Sequence, residues 1–287
     1  MVRGLACAVA VVFVGCILDW DSDRWPDVAL SPDLHVPDGS PDLDAAVIDT
    51  EVIDAAVKAP CGPNLLVHLK LDEPNGTASF LDATGSGHDG KCATGTCPIA
   101  GEAGAVGTAA LFDGLDDRVV LSNSTTLHPP SFTIAVWVEV TGIGADANGG
   151  AVVIKRETDY SKYTFHLDID WNPVRSNCVY KAAGTWYGNT AGTLLKTNRW
   201  YHLACVFNSA TSELSTYVDG SLETTTQTSV PPPKTAGAIV IGGNGSNGDD
   251  PFKGHIDDVR ICGVALQPAD ICTLAGRAWD SGAKKCL

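Results

Sequence analysis

Phe132-Thr-Ile-Ala-Val-Trp-Val-Glu-Val140 is the stretch from which the fold can be read. Successive side chains of a strand point to opposite faces, so Phe132, Ile134, Val136, Val138 and Val140 share one face, and Thr133, Ala135, Trp137 and Glu139 the other. The first row is apolar and belongs between two sheets. The second faces outward, which puts Trp137 either under a loop or on an open face. Working outward from this strand, short β-rich runs recur between Gly, Asn and Asp turns. They are Leu65–Leu71, Thr108–Phe112, Arg118–Leu121, Ala151–Lys155, Tyr163–Asp170, Asn177–Lys181, Trp200–Phe207, Leu214–Val218, Ile239–Ile241 and His255–Ile261. Asp219-Gly220, set between Thr216-Tyr-Val218 and Leu222-Glu223, is a two-residue hairpin signal. Gln267–Ala275 is the one helical segment, with Pro268 in its first turn. The pattern predicts an all-β, two-sheet antiparallel sandwich.

The first sixty residues differ in composition. Met1-Val-Arg3 gives a positive start, and Gly4 to Gly15 is apolar but too short to span a bilayer, which needs about 20 residues. Residues 1–16 therefore read as a signal segment. Phe13-Val-Gly-Cys16 resembles a bacterial lipobox, with Phe13 in place of the usual Leu, and this makes Cys16 the expected lipidation site. The alternative is plain secretion. Residues 17–60 carry eleven acids against Arg24 and Lys58, so −9 of the chain's −15 lies there, with prolines at 26, 32, 37, 41 and 60. Self-repelling charge and few aromatics predict a disordered tether. Residues 61–287 form the folded domain. The acidic balance excludes nucleic acid as a main partner, since a polyphosphate binder needs a basic surface. Contact with a membrane is expected only through the N-terminal anchor.

If Cys7 and Cys16 belong to the export segment, eight cysteines remain, and an even set in an exported domain reads as up to four disulfides. Cys92 and Cys97 bracket a four-residue turn and should pair locally. If Asn177–Lys181 and Trp200–Phe207 form a hairpin centred near residues 191 and 192, Cys178 and Cys205 face each other. Cys61, Cys262, Cys272 and Cys286 should tie the domain's ends together, with their connectivity open.

The order of motifs adds a family. Leu81-Asp-Ala-Thr-Gly-Ser-Gly-His88, Ala110-Leu-Phe-Asp-Gly-Leu-Asp-Asp117, Ser131-Phe-Thr-Ile-Ala-Val-Trp137 and Trp200-Tyr-His-Leu-Ala204 are followed by Ser215-Thr-Tyr-Val-Asp-Gly220, Ile241-Gly-Gly243, Phe252-Lys-Gly-His-Ile-Asp-Asp-Val-Arg260 and Ala265-Leu-Gln-Pro-Ala-Asp-Ile271. From about residue 61 to 277 this series resembles the laminin-G-like, concanavalin A-like jelly-roll domains of bacterial surface proteins. The resemblance implies a surface-displayed module that binds a glycan or an extracellular protein. It also implies a structural Ca²⁺ between the first turn and the last strand, where the matching acids are Asp82 and Asp257. Asp116, Asp117 and Asp258 compete for that role, and Asp249-Asp250 could form a separate site.

On the strand Tyr163–Asp170, alternation puts His166, Asp168 and Asp170 on one face. Jelly-roll glycoside hydrolases of the laminarinase type carry Glu-x-Asp-x-Glu on such a strand. Here both outer positions differ, so the residues read first as a ligand-contacting stripe, with hydrolysis by Asp168 and Asp170 as the alternative. Trp171, Trp186, Tyr187 and Tyr160 are candidates for stacking on sugar rings. A structural envelope protein without a small ligand is the third possibility.

Overall fold

The computed structural model describes residues 60–147, 149–244 and 249–287, together with the backbone of two N-terminal strands. These two, β1 (Ala6–Ala10) and β2 (Phe13–Ile17), pair antiparallel with each other. The acidic tether expected at 17–60 lies almost wholly outside the described residues.

The folded domain contains two large antiparallel sheets. The front sheet has the order β13-β12-β11-β10-β17-β8-β5-β4. Its strands are β4 (Ser79–Phe80), β5 (Gly90–Lys91), β8 (Val119–Leu121), β10 (Gly149–Arg156), β11 (Tyr163–Trp171), β12 (Val174–Ala182), β13 (Thr185–Thr190) and β17 (Ile239–Ile241). The back sheet has the order β16-β15-β14-β9-β18-β7-β6, with β3 also paired to β18. Its strands are β3 (Leu65–Leu69), β6 (Ile99–Ala103), β7 (Thr108–Asp113), β9 (Phe132–Val140), β14 (Trp200–Asn208), β15 (Glu213–Val218), β16 (Ser221–Gln227) and β18 (Lys253–Cys262). The first and last long strands of the domain, β3 and β18, are therefore neighbours. This is the expected two-sheet sandwich. In the two sheets, β4, β5, β6 and β13 escaped the sequence reading, and β16 entered it only as Leu222-Glu223 beyond the hairpin turn; β4 and β5 are two residues each, and the others are polar, Gly- or Thr-rich runs with little apolar alternation.

The core fills the space between the sheets. Phe132, Ile134, Val136, Val138 and Val140 are all buried there, as alternation requires. From the front sheet Phe165, Leu167 and Ile169 meet them, and the Phe132 ring lies 5.5 Å from Phe165 and 5.9 Å from Phe207. Asp219 and Gly220 both take positive φ, 49° and 79°, and join β15 to β16 in a tight turn matched to the twist of the strands.

Part of the back sheet's outer face is covered by helix α1 (Pro268–Leu274). Gln267 and Asp270 form a capping box, and Pro268 occupies the first turn, where no amide donor is needed. Ile271 and Leu274 pack on Ala135, Ala204, Val206 and Tyr217, a second apolar layer behind the main core. Thr133, an outward polar residue, accepts from Leu266 N and donates to Val264 O, each at 2.9 Å, which fixes the approach to the helix.

Four disulfides close the domain. Cys61–Cys262 ties its first described turn to β18, while Cys272–Cys286 is local to the C-terminus, so only one of these two bonds joins the two ends. Cys92–Cys97 closes a short turn. Cys178 and Cys205 are also bonded, but the reason is not a hairpin. Cys178 pairs in register with Leu167 and Asn189 in the front sheet, and Cys205 with Ile134 and Thr216 in the back sheet. The bond crosses the core, because both side chains are on the inward faces of their sheets.

Candidate functional site on the outer face of the front sheet

Strands β10 to β13 place the candidate residues in rows. Asp168 is opposite Asn177 and Ala151, Asp170 opposite Arg175 and Gly149, and His166 opposite Val179. Asn177 and Arg175 are sites that the sequence reading missed, although alternation along β12 puts both on the same face as the stripe. A register irregularity between Tyr163 and His166 brings these two residues onto one face despite their odd spacing, and their rings stack at 5.7 Å. No sequence signal marks that shift. Trp186 of β13 lies 4.6 Å from Tyr163 and keeps 48% of its surface exposed, with Lys181 Nζ over its ring.

Trp171 and Tyr187 do not join this set. Both fall on the inward face: Trp171 packs against the main core at the end of β11, and Tyr187 stacks on the buried Tyr180 at 5.2 Å. Parity decides it, since Trp171 is an odd number of residues from Asp168 and Asp170, and Tyr187 adjoins the outward Trp186. Tyr160 is near the stripe but already engaged. Its ring lies 3.6 Å under the Arg156 guanidinium, and its hydroxyl donates to Asp249.

One wall of the site is a loop held by Arg156. The guanidinium donates to Asn244 Oδ1 and Asn244 O, both at 2.6 Å, and Asn244 Nδ2 donates to Asp250 Oδ2 at 2.6 Å. Asp250 N donates to Asp146 Oδ2 at 2.9 Å and Asp250 O accepts from Ala151 N, which ties the loop to β10 beside Asp168. Gly242 begins this loop at φ 83°, a conformation that disfavours other residues, and a Cβ there would meet the Phe112 ring at 2.1 Å.

Electrostatically the floor favours uncharged forms. Burial, and then the charge of Arg156, pushes His166 down to about 4. Burial, reinforced by Asp170 and Asp250, pushes Asp168 well above the carboxylate range, although its hydrogen bond with Asn177 pulls the other way. His166 Nε2 and Asp168 Oδ2 lie 3.5 Å apart. His166 Nε2, Asp168 Oδ1, Arg175 Nε and Asn177 Oδ1 are buried and have no hydrogen-bond partner. The floor therefore holds both donors and acceptors packed beneath the surface, with the indole of Trp186 exposed beside them.

The two acids assigned to calcium by resemblance have separate partners. The Asp82 carboxylate accepts from His68 N, Thr84 N, Thr84 Oγ1 and His88 N, closing its own turn, whereas Asp257 accepts from Val106 N. Among the described residues the one set of three carboxylate, imidazole or thiolate ligands within 4.8 Å is Asp113, Asp116 and Asp117. Burial and the neighbouring Asp113 and Asp116 raise Asp117 to about 6, and three hard oxygen donors at this spacing suit a divalent cation.

Residues 112–272 match the family profile described as the concanavalin A-like lectin/glucanases superfamily. The chain belongs to this superfamily. No curated protein sequence matches it. Among solved structures, the binding domain of Paraclostridial Mosquitocidal Protein 1 superposes with a TM-score of 0.58 at 13% identity, over 74% of this chain and 52% of that one. Domain 4 of AbnA, a GH43 extracellular arabinanase from Geobacillus stearothermophilus solved with arabinotriose, gives 0.56 at 21% identity, over 74% and 98%. Trypanosoma rangeli sialidase gives 0.56 at 16% identity, over 74% and 32%. This superfamily member thus spans about half the length of the first, a third of the third and nearly all of the arabinanase domain. At these identities the likeness is one of fold.

The buried imidazole gives the superfamily member a measurable acid response. His166 must take up a proton on unfolding, so its contribution to stability is complete above pH 6.5 and is lost as the pH falls to about 4, where the folded state protonates as well. Asp168 acts in the opposite sense, because the folded state keeps a proton that the unfolded chain releases above 3.8. His166→Gln is therefore expected to lose less stability than the parent between pH 6.5 and 4, by about 3 kcal/mol, in urea titrations across that range. Parallel curves would show that His166 is hydrated and titrates as a free side chain.

Proposed function

We propose that this protein is a non-enzymatic glycan-binding module, exported and held at a cell surface by its N-terminal segment. The observation that carries this reading is the exposed indole of Trp186, set against Tyr163 on the same face as the partly exposed polar side chains of Asp168, Asp170 and Arg175. Sugar hydroxyls both donate and accept, and the C–H face of a sugar ring packs on an aromatic plane. The neighbouring folds support binding, since two of the three are binding or saccharide-bound domains. Four disulfides support an oxidising compartment, and the lipobox-like Cys16 remains the expected anchor. Asp113, Asp116 and Asp117 are where a structural calcium would sit. An extracellular protein as ligand would use the same face.

A broad glycan array, run with and without calcium, tests the proposal. Trp186→Ala is expected to weaken retention of any hit at least tenfold, equivalent to about 1.4 kcal/mol, without lowering thermal stability. An array without a hit removes the glycan reading and leaves a structural envelope role. A second reading, hydrolysis, draws on the raised pKa of Asp168 beside Asp170, the state a general acid requires. Turnover of β-glucan that is abolished by Asp168→Asn would establish it, and no turnover by the parent would remove it.

A further inference from the structure

The groups that a ligand can reach on the outer face of the front sheet stand far apart. Between β12 and β13 the register pairs Lys181 with Trp186, Val179 with Gly188 and Asn177 with Thr190. β12 runs on to Arg175, which is opposite Asp170 of β11. Lys181 and Arg175 are six residues apart on one strand. At a strand rise of ~3.3 Å per residue, the indole end and the Asp170–Arg175 end are separated by about 20 Å.

Accessibility follows the same division. Trp186 is 48% exposed at one end, and Asp170 and Arg175 are both half-buried at the other. Between them the floor is low. His166 and Asn177 are buried, and Gly188 contributes no side chain. A Cβ at Gly188 would meet Cys178 O at 2.4 Å and Val179 Cγ1 at 2.5 Å, so the position admits no larger residue. The loop of Asn244 and Asp250 stands along the β10 side. The face is thus a run with a contact at each end.

The polar end suits an uncharged ligand. Among the described residues, the side chains of Asp170 and Arg175 enter no hydrogen bond or ion pair, with each other or with a neighbour. A carboxylate only accepts and a guanidinium only donates, so side by side they can take the hydrogen of one hydroxyl and the oxygen of the next. Their charges cancel. A carboxylate or sulfate on the ligand that reached Arg175 would also meet Asp170, and the repulsion would offset the attraction.

We infer that the ligand is the interior of a neutral polysaccharide, lying along β12 with one ring on Trp186 and another held by Asp170 and Arg175. This rests on the glycan-binding reading above and narrows it, because a single terminal sugar reaches only one end. Once one ring is seated, the second contact is intramolecular, so affinity climbs with chain length until both ends are filled.

Calorimetric titration of the full chain with mono-, tri- and hexasaccharides of β-glucan, xylan and arabinan, and with oligogalacturonates of the same lengths, is the test. The expected result is at least a tenfold gain from monosaccharide to hexasaccharide in one neutral series, with the oligogalacturonates weaker at every length. Arg175→Ala and Asp170→Asn should each flatten that gain, and neither removes a side-chain bond the fold uses. Trp186→Ala should weaken all lengths. A monosaccharide that binds as tightly as the hexasaccharide would overturn the chain-spanning ligand and leave glycan binding standing. Tighter binding of the oligogalacturonates would overturn the neutral class. No binding in any series would remove the glycan reading and this inference with it.

Discussion

Replacing Cys61 and Cys262 together by serine is expected to cost about 5 kcal/mol, the largest loss among the disulfides. The bond joins residues 201 apart in sequence, and the stabilisation from cross-linking grows with the logarithm of the closed loop. The same argument gives only about 2 kcal/mol for Cys92–Cys97, whose partners are 5 apart. Both sulfurs of the long bond are buried in the layer between α1 and the back sheet, so its loss also loosens the entry to β3. Urea midpoints of the two double variants, measured under non-reducing conditions, check the ranking. Equal losses would show that the reduced, unfolded chain already holds its ends together.

Phe132→Ala is expected to cost about 3–5 kcal/mol, the range for removing a large aromatic from a packed core. The ring is 2% exposed and touches Phe165 of the front sheet and Phe207 of the back sheet, so the cavity opens where the two sheets meet. Phe165 immediately precedes His166. The void therefore lies directly behind the strand that presents His166, Asp168 and Asp170, and under the proposed glycan-binding function affinity should fall along with stability. Leu222→Ala is the control: at 53% exposure it should change the midpoint by less than about 0.5 kcal/mol. Thermal and chemical denaturation of both variants, followed by glycan titration at a temperature where each is folded, gives the comparison.

The site was half legible. Period-two alternation placed His166, Asp168 and Asp170 on one outward face and would have added Arg175 and Asn177 had it been applied to β12. It would also have excluded Trp171, which has the parity of Phe165, Leu167 and Ile169. Tyr163 could not have been found this way, because the register irregularity beside it breaks the count. Arg156, Asn244 and Asp250 come together through a loop returning from about 90 residues further along the chain, and no local pattern encodes that contact.

The sequence by itself determined which residues face inward, because alternation within a strand is a property of backbone geometry. It determined the Asp219-Gly220 turn, the capped C-terminal helix and the superfamily. Only the tertiary structure decided which strands share a sheet. Cys178 and Cys205 were correctly paired on a hairpin that does not exist, since facing across a core and facing across a hairpin give the same inward residues. The same ambiguity placed Trp137 on an outward face without saying which one. It lies on the back sheet, on the opposite side of the sandwich from Asp168, because strand pairing is fixed by long-range packing of whole sheets rather than by any pattern within one strand.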